Sequence, residues 1–113
     1  MSSNTSLDVV ALDRGATAEI MLVGELDLDA EGRVRSAVTG SLIDPQVRHL
    51  DIDVALVTFC DSSGLSALTR AYQQATAAGV TMRLVNVGVP LRRILGFTGL
   101  WGVLNCTEAT DVP

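Results

Sequence analysis

The side chains best placed to do chemistry in this chain belong to two adjacent serines, Ser62 and Ser63. They stand in the segment TFCDSSGL, residues 58–65, where an apolar strand ends and an amphipathic helix begins. The first turn of a helix has backbone N–H groups without intrahelical partners and carries the positive end of the helix dipole. A serine on such an exposed turn is well placed for phosphorylation, so the turn could act as a switch. The alternative is that one of the serines only caps the helix, because serine is a common N-cap residue.

The serines do not fit the pattern of a hydrolase. A nucleophile elbow needs glycine two residues before the serine, and neither Ser62 nor Ser63 has one. The only histidine, His49, stands at the start of a predicted strand whose far end carries the serines, so it is badly placed to act as their base. The chain also lacks the glycine-rich signatures of nucleotide-binding loops. We therefore expect a protein that is not an enzyme, and a separate kinase for any phosphorylation.

Two carboxylates, Asp27 and Asp61, each follow a predicted strand. The carboxyl ends of parallel strands meet at one edge of a sheet, where functional sites gather. Each aspartate could instead be a local cap or turn residue, because aspartate accepts backbone N–H bonds well. Two carboxylates alone are not a specific magnesium site. We expect neither a metal nor a cofactor.

The two cysteines, Cys60 and Cys106, lie far apart in the sequence and lack the spacing of a metal or redox motif. With a single histidine, the chain supplies too few ligands for a zinc site. We expect each cysteine to be buried as a small apolar side chain in a reducing compartment.

Composition narrows the partners. Among 113 residues, 8 are basic and 13 acidic, and the net charge of −5 argues against binding to nucleic acid. The 48% of hydrophobic residues can form a core, yet no apolar run approaches the ~20 residues that span a bilayer. The polar start, residues 1–6, lacks the features of a signal peptide. We therefore expect a cytoplasmic protein that binds neither nucleic acid nor membrane.

The hydrophobic pattern predicts a single domain, residues 1–113, of the α/β class. Helical and strand periodicities alternate in the order ββαβαβαβ. Helices between strands require a largely parallel sheet covered by helices, with an antiparallel hairpin at its N-terminal edge. The predicted strands cover residues 7–12, 16–23, 47–54, 81–87 and 103–105, and the predicted helices cover residues 30–42, 91–97 and the stretch from the 61–64 turn to Gly79.

Three segments resemble the STAS domain, and in particular bacterial anti-sigma factor antagonists. GELD at residues 24–27 resembles the segment that follows the second strand of that family. VTFCDSSGL at residues 57–65 resembles its F-x-D-S-S-G-L motif, and residues 90–100 resemble its third helix and the following turn. Order and spacing agree over about residues 7–108.

The resemblance implies a protein-binding switch. In the family, the serine directly after the aspartate of the motif accepts phosphate from an anti-sigma factor that is also a kinase, and here that serine is Ser62. The unphosphorylated antagonist binds the anti-sigma factor and so frees a sigma factor indirectly, phosphorylation ends binding, and a phosphoserine phosphatase restores it. We expect the partner-binding surface to comprise Asp27, Asp61, Ser62, Ser63 and Gly64.

Within this surface, Ser63 is expected to cap the helix or support the turn, and Gly64 to let the backbone of a partner approach closely. The family often ends in a further helix, for which residues 107–113 are too short and polar. The alternative function is an unphosphorylated STAS scaffold or a module that binds a small ligand.

Overall fold

Five strands form one mixed sheet in the computed structural model, which describes residues 7–109. The strands lie in the order β1-β2-β3-β4-β5, with β1 antiparallel to β2 and the other neighbours parallel. This arrangement confirms the predicted α/β class and the antiparallel edge hairpin. The elements are β1 Leu7–Arg14, β2 Thr17–Leu26, α1 Ala30–Leu42, β3 His49–Cys60, α2 Ser62–Ala77, β4 Thr81–Val87, α3 Val89–Thr98, α4 Leu100–Val103 and β5 Cys106–Glu108.

The helices cover one face of the sheet. Each parallel crossover moves to the next strand in the same direction, and right-handed crossovers then place every helix on the same side. Alternate residues of the central strands are accordingly buried, and alternate residues of β1 on the other face are exposed. The core side chains of β2 and β3 are Ala18, Ile20, Leu22, Leu26, Leu50, Ile52 and Val54. No helix within residues 7–109 is long and apolar enough to span a membrane.

The two central strands are longer than the sequence predicted. Strand β2 continues through Gly24, Glu25 and Leu26, a segment predicted as a turn, and β3 continues beyond residue 54 to Cys60. Two register shifts let the strands remain paired, one between Met21 and Val23 and one beside Gly24. Gly24 has φ +116°, which only glycine adopts readily, so it can bend the strand without ending it.

The C-terminal part also differs from the prediction. The predicted strand at residues 103–105 is wrong: α4 occupies Leu100–Val103, and the last strand begins at Cys106. Asn105 has φ +52°, and its side-chain amide donates to the carbonyl of Met82 at 3.0 Å, which turns the chain into β5. Residues 107–109 contain no helix, as the sequence predicted for this part of the C-terminal segment. The polar residues at the two ends, 1–6 and 110–113, lie outside the described residues.

Arg92 holds the C-terminal elements together. Its guanidinium lies 5.4 Å from the ring centre of Trp101 and 2.5 Å from the carboxylate of Glu108. Helices α3 and α4 and strand β5 thus meet at one arginine. The contact combines a cation–π interaction with an exposed ion pair.

Asp53 lies at the point where β3 and β4 stop pairing and separate. The last paired residues of the two strands are Asp53 and Val85. The carboxylate of Asp53 is only 9% exposed, and its two oxygens accept from the N–H of Ala55 and from the side-chain amide of Asn86, each at 2.9 Å. One oxygen therefore satisfies a backbone N–H just beyond the paired part of β3, and the other links β3 to the side chain of Asn86 in β4.

Replacing Asp53 with alanine should destabilise the domain by ~1–3 kcal/mol, because it removes two part-buried hydrogen bonds to a charged acceptor, one from Ala55 and one from Asn86. Asp51→Ala is the matched control, since Asp51 lies two residues earlier on the same strand and forms an exposed ion pair with Arg83. That control should cost no more than ~1 kcal/mol. Urea denaturation measures both free energies of unfolding, and equal losses would contradict this role of Asp53.

Candidate partner-binding site

The carboxyl ends of β2 and β3 lie side by side and form the base of the site. Leu26 and Cys60 are the last paired residues of the two strands. Just beyond them, the N–H of Asp61 donates to the carbonyl of Leu26 at 3.2 Å. Asp27 and Asp61 therefore follow neighbouring strand ends at one edge of the sheet, as the sequence predicted.

Asp61, not a serine, caps helix α2. Its backbone is extended, and its carboxylate accepts from the N–H of Gly64 at 3.0 Å. The interpretation of either serine as the N-cap is therefore wrong, because Ser62 and Ser63 are already the first two helical residues. Ser62 is exposed and Ser63 half-buried, and within residues 7–109 neither hydroxyl forms a hydrogen bond. We call residues 61–64 the serine turn.

Asp27 stabilises the neighbouring loop with one of its two carboxylate oxygens. Oδ1 accepts from the N–H of Asp29 at 3.1 Å, and the backbone carbonyl of Asp27 accepts from the N–H of Ala30 at the start of α1. The other oxygen, Oδ2, has no hydrogen-bond partner in the described part of the chain. Asp27 is half-buried, so this oxygen can still meet a partner.

The end of β2, the loop at residues 27–29 and the serine turn together carry an excess of negative charge. Across residues 7–109, none of the carboxylates of Glu25, Asp27, Asp29 and Asp61 forms an ion pair. Glu31, at the start of α1, has two arginine partners at 3.8 Å. An added phosphate would therefore meet uncompensated like charge.

Two large apolar side chains flank these carboxylates, and sequence reasoning missed both. Leu28 is 76% exposed between two aspartates of the loop, and Phe59 is 50% exposed near the end of β3. Phe59 reads as a core residue in the sequence, because it lies in a long apolar strand. The available signal was the position of Leu28 between Asp27 and Asp29, where an apolar side chain in a polar loop has no core to join.

Gly64 lies inside the turn rather than on its surface. It is buried, and a Cβ atom there would overlap the carbonyl oxygen of Leu26 and lie 2.8 Å from the Cβ of Leu26 and 2.9 Å from the Sγ of Cys60. The glycine therefore allows α2 to begin directly against the end of β2. This packing gives Gly64 a role inside the domain, and the approach of a partner backbone stays a prediction.

The surroundings of Cys60 disfavour the thiolate form of its side chain. Burial, and secondarily the charge of Asp61, raises the pKa of the Cys60 thiol to about 11. The thiol donates weakly to the carbonyl of Asp61 at 3.5 Å. Cys60 and Cys106 are both free and half-buried, so they are less buried than the sequence predicted.

The comparison with known protein families gives one decisive match. A family model described as the STAS domain aligns with residues 9–111 of this chain. The chain belongs to the STAS domain family. The family predicted from the segments at residues 24–27, 57–65 and 90–100 is thereby confirmed.

Individual relatives of this STAS domain carry related names. An anti-sigma F factor antagonist of Paenibacillus polymyxa is 28% identical over 85 residues, which are 75% of this chain and 73% of that protein. The crystal structure of an anti-sigma factor antagonist from Mycobacterium paratuberculosis superposes with a TM-score of 0.78 at 23% identity, over 98% of this chain and 92% of that one. The Bacillus cell fate determinant SpoIIAA in its phosphorylated form gives a TM-score of 0.67 at 24% identity, over 93% and 92%. The two structural likenesses show a shared fold.

Gly64→Ala should destabilise this STAS domain by at least ~1–3 kcal/mol, because the new methyl group overlaps the Leu26 carbonyl and must push α2 away from β2. Gly96→Ala is the control, since Gly96 lies in α3 with open space around it. That change should stabilise the domain slightly, by up to ~1 kcal/mol, because alanine favours helix. Thermal melts of both variants test this, and an unaltered melting temperature for Gly64→Ala would refute the close packing.

Proposed function

We propose that this STAS domain is an anti-sigma factor antagonist that phosphorylation of Ser62 switches off. The observation that carries the proposal is the exposed Ser62 hydroxyl, which has no hydrogen bond within residues 7–109 and lies next to the unpaired carboxylate of Asp61. The names of the relatives support the role, and one of those relatives is known in a phosphorylated form. The domain acts by binding rather than as an enzyme.

The binding-competent form is the unphosphorylated one. Leu28 and Phe59 offer apolar anchors on either side of the carboxylates, and a partner that covers them also buries Ser62. The names of the relatives support an anti-sigma factor as the partner, and a serine kinase activity would have to belong to that partner, because this chain has no nucleotide-binding motif of its own. Occupation of the anti-sigma factor then releases a sigma factor that this domain does not itself contact.

Phosphate on Ser62 opposes binding through charge. It adds about −1.5 to −2 charges to a surface on which Asp27 and Asp61 are already unpaired. Like charges brought together in an interface cost several kcal/mol, and ~1.4 kcal/mol is a tenfold loss of affinity. The domain stays folded, because Asp61 rather than Ser62 holds the cap of α2. A phosphoserine phosphatase resets the surface.

The shape of the surface favours a protein partner over a small ligand. The depression beside the serine turn, between β3 and α3, measures ≈ 90 Å³ and is lined by Thr58, Phe59, Pro90 and Ile94 among others. Pockets for small molecules usually measure ~300–1,000 Å³. This difference weighs against a small ligand bound beside the serine turn, where the sequence left that alternative open.

Ser62→Ala should change the free energy of unfolding by less than ~0.5 kcal/mol, because the hydroxyl makes no bond in the described structure. It should still bind the anti-sigma factor and should not be phosphorylated. Ser62→Asp should fold equally well but bind at least about tenfold more weakly, since its charge adds to that of Asp61. Calorimetry with the anti-sigma kinase and nucleotide measures both affinities.

Ser63→Ala is the matched control for these two variants, because it removes the adjacent hydroxyl and leaves the acceptor. It should be phosphorylated as well as the wild type. Phosphopeptide mapping after incubation with the kinase and ATP identifies the acceptor. Phosphate mainly on Ser63, or equal affinities for wild type, Ser62→Ala and Ser62→Asp, would refute the switch.

Asp27→Ala should weaken binding of the anti-sigma factor by about tenfold or more while costing less than ~1 kcal/mol of stability, because one carboxylate oxygen faces the surface unbonded. Asp44→Ala is a close control, since Asp44 is also half-buried and accepts from a backbone N–H two residues on, at the other end of α1. Its loss should match that of Asp27→Ala in melting temperature and leave affinity unchanged. Equal affinities for the two variants would show that Asp27 only supports its loop and does not contribute to partner binding.

A further inference from the structure

The outer edge of β1 is long and largely uncovered within residues 7–109, where Arg33 of α1 donates to the carbonyl of Leu7 at 3.3 Å at the start of the strand. Strand β1 pairs with β2 along eight residues, and its other edge faces no strand of the described chain. The opposite edge of the sheet, β5, has only three residues. Natural sheets usually shorten, twist or cover such edges, because exposed backbone N–H and C=O groups invite pairing with another chain.

The side chains on the face of β1 that the helices do not cover form a self-complementary series. Asp8, Val10, Leu12 and Arg14 alternate along the strand, and all four are exposed. Val10 and Leu12 are 43% and 42% exposed, although both are large and apolar. Along the strand the series is therefore acidic, apolar, apolar and basic. When a second copy runs in the opposite direction, each of these side chains can lie opposite one of complementary character.

We propose that β1 pairs with β1 of a second copy of this chain, antiparallel, about a two-fold axis at Ala11. In this register Asp8 lies opposite Arg14 of the second copy, and Val10 lies opposite Leu12 of the second copy. Each pair occurs twice, as an isologous two-fold interface requires. Directly opposed pairs of opposite charge and of apolar side chains are the pairs that stabilise a sheet.

Several two-fold symmetric registers keep the helices of both copies on the same face of the joined sheet. Among these registers, the charges favour the one with its axis at Ala11. A shift of the axis to Val10 or to Leu12 places neither Asp8 nor Arg14 opposite a charge of opposite sign. Only the axis at Ala11 matches both ends of the strand. Arg14 also contacts Glu19 of its own chain at 3.1 Å, so in the pair its guanidinium would lie between two carboxylates.

Helix α1 leaves room for the second strand. Where α1 passes beside the edge, it presents the small residues Ala37, Gly40 and Ser41. Between them and Ala11 and Leu12 lies a groove of ≈ 270 Å³. Side chains on the helix-facing side of a second β1 can therefore approach the middle of this edge past small residues of α1, whereas the long side chain of Arg33 contacts β1 at its start, at the carbonyl of Leu7.

The pairing leaves both serine turns accessible. It would join two five-stranded sheets into one of ten strands. Because the two copies run in opposite directions, the carboxyl ends of their β2 strands lie at opposite ends of the joined sheet. The inference therefore stands apart from the proposed function, and either can fail without the other.

Sedimentation of the full chain over about 10 µM to about 1 mM tests the pairing, a range chosen because small interfaces are weak. We expect a reversible monomer–dimer equilibrium for the wild type. Asp8→Arg and Arg14→Asp each place like charges opposite one another twice, so each should raise the dimer Kd by at least about tenfold. An equal mixture of the two variants restores opposite charges at both positions and should dimerise about as well as the wild type.

Arg93→Asp and Asp29→Arg are the controls, because they make the same charge changes at exposed positions outside β1. Both should dimerise like the wild type, and melting curves establish that every variant is folded. A wild type that stays monomeric throughout the range would overturn the proposal. Single β1 variants that still dimerise, or a mixture that stays monomeric, would overturn it as well.

Discussion

The carbonyl oxygen of Leu26 is the point on which the candidate site depends. It accepts the N–H of Asp61, which joins the ends of two parallel strands, and it lies directly beneath Gly64. Helix α2 can begin there only because residue 64 has no side chain. One backbone group thus fixes the end of β2, the end of β3 and the first turn of α2 relative to one another. The positions of Asp27 and Ser62 follow from it.

Structural and surface roles are divided among neighbouring residues of the serine turn. Asp61 uses its carboxylate to bond the first turn of α2, and Gly64 provides the close contact with β2. The hydroxyl of Ser62 forms no hydrogen bond with any of the described residues, so it does not support the fold. The same division recurs in the loop, where one oxygen of Asp27 holds the backbone and the other is unbonded. A surface arranged in this way can change its charge without a change of fold.

Features set by local periodicity could be predicted from the sequence, whereas features set by long-range pairing could not. The apolar spacing from Ala30 to Leu42 gave α1 with its observed ends, and the strand–helix alternation gave a mostly parallel sheet. Gly24 reads as a turn residue, and only the pairing of β2 with β3 makes it a bulge inside a strand. The exposure of Phe59 was equally hidden, since it depends on where β4 leaves the sheet. The motif predicted the candidate site residues, but it left the cap open between the serines and Asp61, because serine and aspartate both favour that position, and the structure gives the cap to Asp61.

The start of α2 has a consequence for how Ser62 can be recognised. Its backbone is already helical, and the strand before it is fixed in the sheet. Enzymes that read a linear consensus bind their substrate segment in an extended form, which this segment could adopt only by unfolding part of the core. Under the proposed function, a kinase for Ser62 would therefore have to read a conformational epitope, assembled from two segments that are 34 positions apart in the sequence at Asp27 and Asp61. Specificity would then reside in the surface of the folded domain, and an excised peptide of the same sequence would lack it.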